Sequence, residues 1–475
     1  MTRGSAAILT RSASVGVAGA LVLALSMSCS TAPPTRPPVA TEPLAVPPSP
    51  ASSGDAAGTK PATPTTVDSL YSKQVARTLS KVSELRGISA TKAVPGVKLD
   101  RDQLVARVRD KALREYPAEA LRREGQILQI MGFAPTNFDY LAEMLKLLEA
   151  QLEGFYEPKN GTMYLASELK GPQAQATLAH ELVHALQDQR WDLRSRSTYR
   201  AGRSDASMAE AALAEGDATS LMLDYIMMPD RSAIDIPDEA VRELMQGGMN
   251  LGDIQSVPHI LRSTLLAPYG EGLAFVHARR RKGGWKSVDA SWDRLPTTTE
   301  QILHADKWEA QEGAIPVPAP TGAALGAGWV REDVDEFGEL GLVLSLGEWM
   351  SDADARIAAS GWGGDKTATY RKGEGLAYTV HVRFDAAPGK ADTFAERFTG
   401  KVFPALKKTL TQKPSLADSS AICFERAELG PLVVARKERD VVIVAGPANA
   451  KGSTWTSAGN CATAKKWADE VLAMR

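Results

Sequence analysis

The chain has 475 residues, with 55 Lys and Arg against 57 Asp and Glu, a net charge of −2 and only six histidines. A near-neutral balance removes bulk electrostatic attraction to nucleic acid as a partner class. No P-loop, dinucleotide fingerprint or internal repeat is present, which sets aside the nucleotide-binding and repeat classes.

In chain order, the first 41 residues hold no acid, and Arg3 and Arg11 precede an apolar run from Val15 to Leu25. A charged start, a short apolar stretch and small residues make residues 1–29 a predicted export signal, too short for a membrane span of about 20 residues. Cys29 directly follows Ser26-Met27-Ser28. This resembles a bacterial lipobox, which implies Cys29 as the lipidated first residue of a mature protein anchored in the cell envelope; Ser26 stands where leucine is usual, and simple secretion is the alternative. Residues 30–66, rich in Pro, Ala, Ser and Thr, read as a disordered tether.

Roughly 400 residues follow, enough for a large core and two domains. Residues 67–309 are predicted to form a mainly helical catalytic domain, broken early at Pro95-Gly96, Pro117 and Pro135. Gly154 to Leu165 reads as two short strands around an Asn160-Gly161 turn, with Met163-Tyr164-Leu165 as an edge able to hold an extended peptide.

The run from Gln173 to Gln189 reads as one amphipathic helix and carries His180-Glu181-Leu182-Val183-His184. Histidines at i and i+4 lie about 40° apart around a helix, so their imidazoles can converge on one ion. Glu181 is turned roughly 100° away, free to take a proton from water activated there. These are the parts of a zinc hydrolase. The third ligand is predicted from the next helix, Ser207 to Met228, as Glu215 in Glu215-Gly216-Asp217-Ala218; Glu210, five residues earlier, lies on another face.

The basic run Arg279 to Lys282 before Gly283-Gly284 reads as a helix end with its glycine cap. Beyond a loop at 310–328, Leu340 to Ala359 reads as a helix. The tail then alternates strand 377–384, helix 391–410, hairpin 432–445 and helix 461–473, making 329–475 a helix plus a small α+β module. His381 in its first strand reads as structural. Setting Cys29 aside, Cys423 and Cys461 form an even pair, a candidate disulfide. The expected fold class is α+β.

His180-Glu181-x-x-His184 with Glu215-Gly-x-Ala218 resembles the gluzincin metallopeptidases, the thermolysin-like and aminopeptidase-like group, over about Thr177 to Tyr225. The resemblance implies one Zn2+ ion held by His180, His184 and Glu215, Glu181 as general base, and a peptide or protein substrate. Phrases such as Pro296 to His304 and Gly361 to Asp365 resemble those of little-characterised bacterial HExxH proteins, which carry no assigned substrate. Two departures stand out. Thirty residues lie between His184 and Glu215, more than the compact gluzincin spacing. Thr219 occupies the position of the aspartate that steadies a histidine, so Asp188, one turn beyond His184, is the expected substitute. An oxyanion donor is expected from His304, steadied by Glu300, then from Tyr269 in a flexible stretch before a helix, with His277 as a further candidate. The rival readings are a surface binding or assembly lipoprotein with a structural metal site, and a cell-wall amide hydrolase.

Overall fold

The computed structural model describes residues 69–196, 198–227, 229, 231–237, 240, 257–387 and 393–474. The predicted signal, Cys29 and the whole of the tether lie outside them. The fold is mixed α/β. No described helix is long and apolar enough to cross a membrane.

The first region opens with helix α1 (Ser69–Arg86), strand β1 (Gly96–Leu99), and helices α2 (Arg101–Glu115), α3 (Ala118–Met131) and α4 (Tyr140–Gln151). The Asp100–Gln103 capping box starts α2, and Gly132, at φ 85°, lets the chain leave α3 in a left-handed turn. Strands β2 (Gly154–Glu157) and β3 (Thr162–Ala166) follow around the Asn160-Gly161 turn.

Strand order in this small sheet is β1-β3-β2, with β1 parallel and β2 antiparallel to β3. Met163-Tyr164-Leu165 is therefore the central strand, not an edge. The short strand at Gly96 escaped the sequence reading because its Pro95-Gly96 start looks like a break.

Helix α5 (Gly171–Trp191) begins with Pro172 in its first turn, where a missing N–H costs nothing. It is followed by α6 (Leu193–Arg196), α7 (Ser204–Met227), α8 (His259–Asp293), α9 (Thr299–Leu303) and α10 (Ala305–Ala310). Helices α7 and α8 pack unusually closely. A Cβ on Gly272 would sit 1.8 Å from the Ala212 carbonyl oxygen, and one on Gly216 would sit 2.1 Å from the Gly272 carbonyl carbon. Only hydrogen fits at this crossing. The Pro268–Gly272 stretch thus lies inside α8 rather than before a helix. The glycine break after Lys282 interrupts α8, with Gly284 at φ 62°, and the helix resumes to Asp293.

The second region starts at β4 (Val330–Asp335), followed by α11 (Gly338–Leu346) and α12 (Asp352–Ala359), so the single helix expected over 340–359 is two. Ser351 caps the second of them. Then come β5 (Trp362–Lys372), β6 (Gly375–Phe384), α13 (Phe394–Thr409), β7 (Leu416–Ala417), β8 (Ala421–Arg426), β9 (Gly430–Lys437), β10 (Asp440–Lys451), β11 (Thr454–Ser457) and α14 (Cys461–Leu472).

The eight strands form one antiparallel sheet, ordered β4-β5-β6-β10-β9-β8-β7 with β11 paired to the far end of β10. This is larger than the small module expected. Its strands are apolar on both faces: Val441, Ile443 and Ala445 turn to the core that includes α13, Val442 and Val444 to the one under α14. Double burial erases the polar alternation that marks a half-exposed strand. A disulfide joins Cys423 on β8 to Cys461 at the start of α14.

Candidate metal centre

Helix α5 supplies His180, Glu181 and His184, and α7 supplies Glu215. The Nε2 atoms of His180 and His184 are 3.2 Å apart; Glu215 Oε2 lies 3.2 Å from the first and 3.5 Å from the second. Ligands 2.0–2.1 Å from a tetrahedral ion stand about 3.3 Å from one another. The donor set therefore fits one small divalent ion. All four residues are at most 2% exposed.

Gln187, one turn along α5, fixes the ring of His184: His184 Nδ1 donates to Gln187 Oε1 at 2.8 Å. That bond leaves the Nε2 lone pair facing Glu215. Asp188, expected in this role, instead accepts from the Tyr156 hydroxyl at 2.9 Å and the Arg194 amide at 3.1 Å. Position i+3 won over i+4 because Asp188 is drawn to the strand side of the helix.

Gln187 is itself anchored, its amide donating to the Ala214 carbonyl and to Asp217 Oδ2. Asp217 is fully buried and also accepts from Trp292 Nε1 at 2.9 Å and from Arg86 at 2.7 and 3.1 Å. Arg86, on α1, is closed in by Asp289 and the Trp285 ring. A line of polar contacts thus runs from α1 to a ligand histidine. Sequence reasoning missed Gln187, Asp217 and Arg86. The available signal was Gln187 itself, a polar residue on the same face as His184.

Charge in the cluster is strongly coupled. Burial pulls both histidines down and succeeds at His180; at His184 the Glu215 carboxylate, helped by Glu181 and Gln187, reverses it and lifts the pKa to about 9. Burial would raise Glu215, but the two imidazoles hold it below the ordinary carboxylate range. Nδ1 of His180 is buried and has no hydrogen-bond partner among the described residues.

Glu181 Oε2 accepts from the Tyr156 backbone amide at 2.8 Å. That amide belongs to β2, the edge strand of the sheet on the side of the motif, and Glu181 occupies it. Lys111 is also buried nearby; burial lowers its pKa, against the opposing charges of Glu115, Glu157 and Glu181.

Of the expected oxyanion donors, Tyr269 comes to the cluster: its ring stacks on His180 at 6.1 Å, placed there from α8 one turn before Gly272. His277 is buried two turns further along α8. His304 is elsewhere, at the boundary of α9 and α10, with its Nε2 3.0 Å from Glu339. Glu300 does not steady it but pairs with Lys307. Glu210, the competing ligand, pairs with Arg200 at 2.8 Å. A second carboxylate group, Glu300, Glu312 and Asp385, surrounds the Lys307 ammonium at 2.5, 2.7 and 3.0 Å, so a lysine already occupies its centre. The basic run is consumed internally: Arg279 and Lys282 by Glu309, Arg280 by Asp224, and Arg281 by the Ile234 and Ile236 carbonyls.

A domain family of unknown function (DUF8575) matches residues 328–455, from just before β4 to the second residue of β11. That match leaves α5 and α7 outside it. No curated protein and no solved structure matches the chain.

Proposed function

We propose that this chain is a zinc-dependent, gluzincin-like peptidase, exported and lipid-anchored through Cys29. The observation that carries the reading is the 3.2–3.5 Å triangle of two imidazole nitrogens and one carboxylate oxygen, with an unligated glutamate adjacent to the first histidine. Zinc, when bound, polarises a substrate carbonyl and brings its water to a pKa of about 7. Glu181 would accept a proton from the attacking water and return it to the leaving amine. The Tyr156 amide orients Glu181, and Gln187 holds His184 in the ligating tautomer. Tyr269 is the side chain best placed to approach a developing oxyanion.

Burial of all four groups favours a second reading, a metal site that only holds structure. Glu181→Gln distinguishes the two. As a peptidase, the variant keeps one zinc per chain and loses hydrolysis of a peptide library by about 10²-fold or more. Zinc content that survives Glu215→Ala, or equal cleavage by Glu181→Gln and the unaltered protein, defeats the assignment. Loss of a palmitate label and of envelope attachment in Cys29→Ala tests the anchor.

A further inference from the structure

A separate space lies where the helical region meets the C-terminal sheet. Between α3, the starts of α7 and α8, α11 and strands β4, β5, β6 and β10 is a cavity of about 120 Å³. Most of its wall is apolar, with Leu128, Met208, Ile260 and Trp349 among the lining side chains. One water needs about 10–15 Å³, whereas an apolar cavity of about 150 Å³ takes up benzene. Close-packed interiors leave few voids of this size, because the lining atoms forfeit dispersion contacts.

The charges on this wall are all of one sign. Glu124, Asp333, Asp335 and Glu336 line it, while no Lys, Arg or His does. Three of the four are already engaged. Asp335 accepts from the Ser204 amide and hydroxyl, Glu336 pairs with Lys366, and Asp333 faces Arg123 at 3.9 Å. Glu124 forms no hydrogen bond or ion pair among the described residues. Burial, with Asp335 and Asp333 nearby, pushes its carboxyl up to about 7 against the pull of Arg123. Glu124 is partly buried, and an ionised carboxylate with no protein partner beside an apolar wall favours a cation there.

We propose that this cavity binds a small organic ammonium with a compact apolar body, the ammonium on Glu124 and the body against Met208, Ile260 and Trp349. The same wall rejects a fatty acid, a phosphate ester or a free amino acid, whose anionic group would meet like charges. A neutral apolar molecule would fill the space and leave Glu124 unpaired. The site lies apart from the histidine–glutamate triad and does not depend on the peptidase reading.

Calorimetric titration of the full chain at pH 8 with benzylamine, benzyl alcohol and benzoate tests this. Benzylamine should bind and benzoate should not. Glu124→Gln, which keeps the side chain's size, should weaken benzylamine at least tenfold and leave benzyl alcohol unchanged. Met208→Trp, which fills the void, should remove both; Ile260→Phe takes its place if circular dichroism shows the tryptophan variant unfolded. Unaltered benzylamine affinity in Glu124→Gln, equal affinity of the unaltered protein for benzylamine and benzyl alcohol, or no benzylamine binding at all overturns the proposal.

Discussion

The helical region and the C-terminal sheet build their interiors from opposite materials. Where α5 meets α7 the interior is crowded with polar groups: His180, His184, Glu181, Glu215, Asp217 and Gln187 pair with one another, with Arg86 of α1, with Trp292 of α8 and with the Tyr156 amide of β2. The sheet is apolar on both faces and closes with a covalent link to α14. Where packing alone is needed, valine and alanine suffice. A lattice of buried charge has to be satisfied member by member, and it persists where an ion or a reaction uses it.

The sharpest way to break this contrast is at Asp217. Asp217→Ala leaves the fully buried Arg86 guanidinium with Asp289 as its one remaining carboxylate among the described residues and leaves Trp292 Nε1 without its acceptor, and should cost about 3 kcal/mol in urea unfolding. A loss under 1 kcal/mol would mean that water reaches the arginine.

The sheet should respond to a different change. Replacing Cys423 and Cys461 by alanine opens a link spanning 38 residues and should cost about 2–4 kcal/mol. Metal content should stay unaltered. Loss of zinc in that variant would show that the two regions are one cooperative unit.

A smaller effect is expected at Gln187. Gln187→Ala frees the His184 ring and should weaken zinc binding about 10–100-fold in competition with a chelator. The thermal midpoint of the metal-free chain should move by only a few degrees. Unchanged zinc affinity would remove Gln187 from the site.

The smallest effect is a pH dependence along the line where the regions meet. Asp205 accepts from Thr299, Asp335 from Ser204, and Asp365 from the amides of Phe337 and Gly338. Burial, above all, raises these carboxyls to about 8, 7 and 6 respectively. Each keeps its proton in the folded chain at a pH where the unfolded chain has released it. Their stabilisation is therefore complete below about pH 4 and is lost as pH climbs through the raised values. Asp335→Asn should shrink the fall in unfolding free energy between pH 5 and pH 8 by at least about 1.4 kcal/mol, the equivalent of one pKa unit. A profile that overlays the unaltered protein counts against this account.

What the sequence made legible follows from how local each signal is. The α5 helix, its two histidines and the outward turn of Glu181 are readable because 3.6-residue periodicity fixes them within five positions. Glu215 is readable at one remove, since two histidines on one helix call for a third ligand and Glu215-Gly-x-Ala218 resembles the gluzincin phrase that supplies it. Partner choice was not readable. Gln187 rather than Asp188, and Glu339 rather than Glu300, were selected by chains arriving from far away in sequence. Strands β1, β4, β5, β7, β8 and β11 were missed: β1 behind its Pro95-Gly96 start, β4 because Glu332, Asp333 and Asp335 are poor strand formers, β5 and β8 because two-sided burial erases alternation, and β7 and β11 because 2 and 4 residues carry no pattern.

Arg86 carries one last consequence, for maturation. If an N-terminal segment is clipped to release an active form, the cut has to fall before Ser69. Trimming through Arg86 would remove the counter-ion of Asp217 and, through Gln187, loosen the ligand histidine. The end of α1 is therefore one of the supports of the histidine–glutamate cluster.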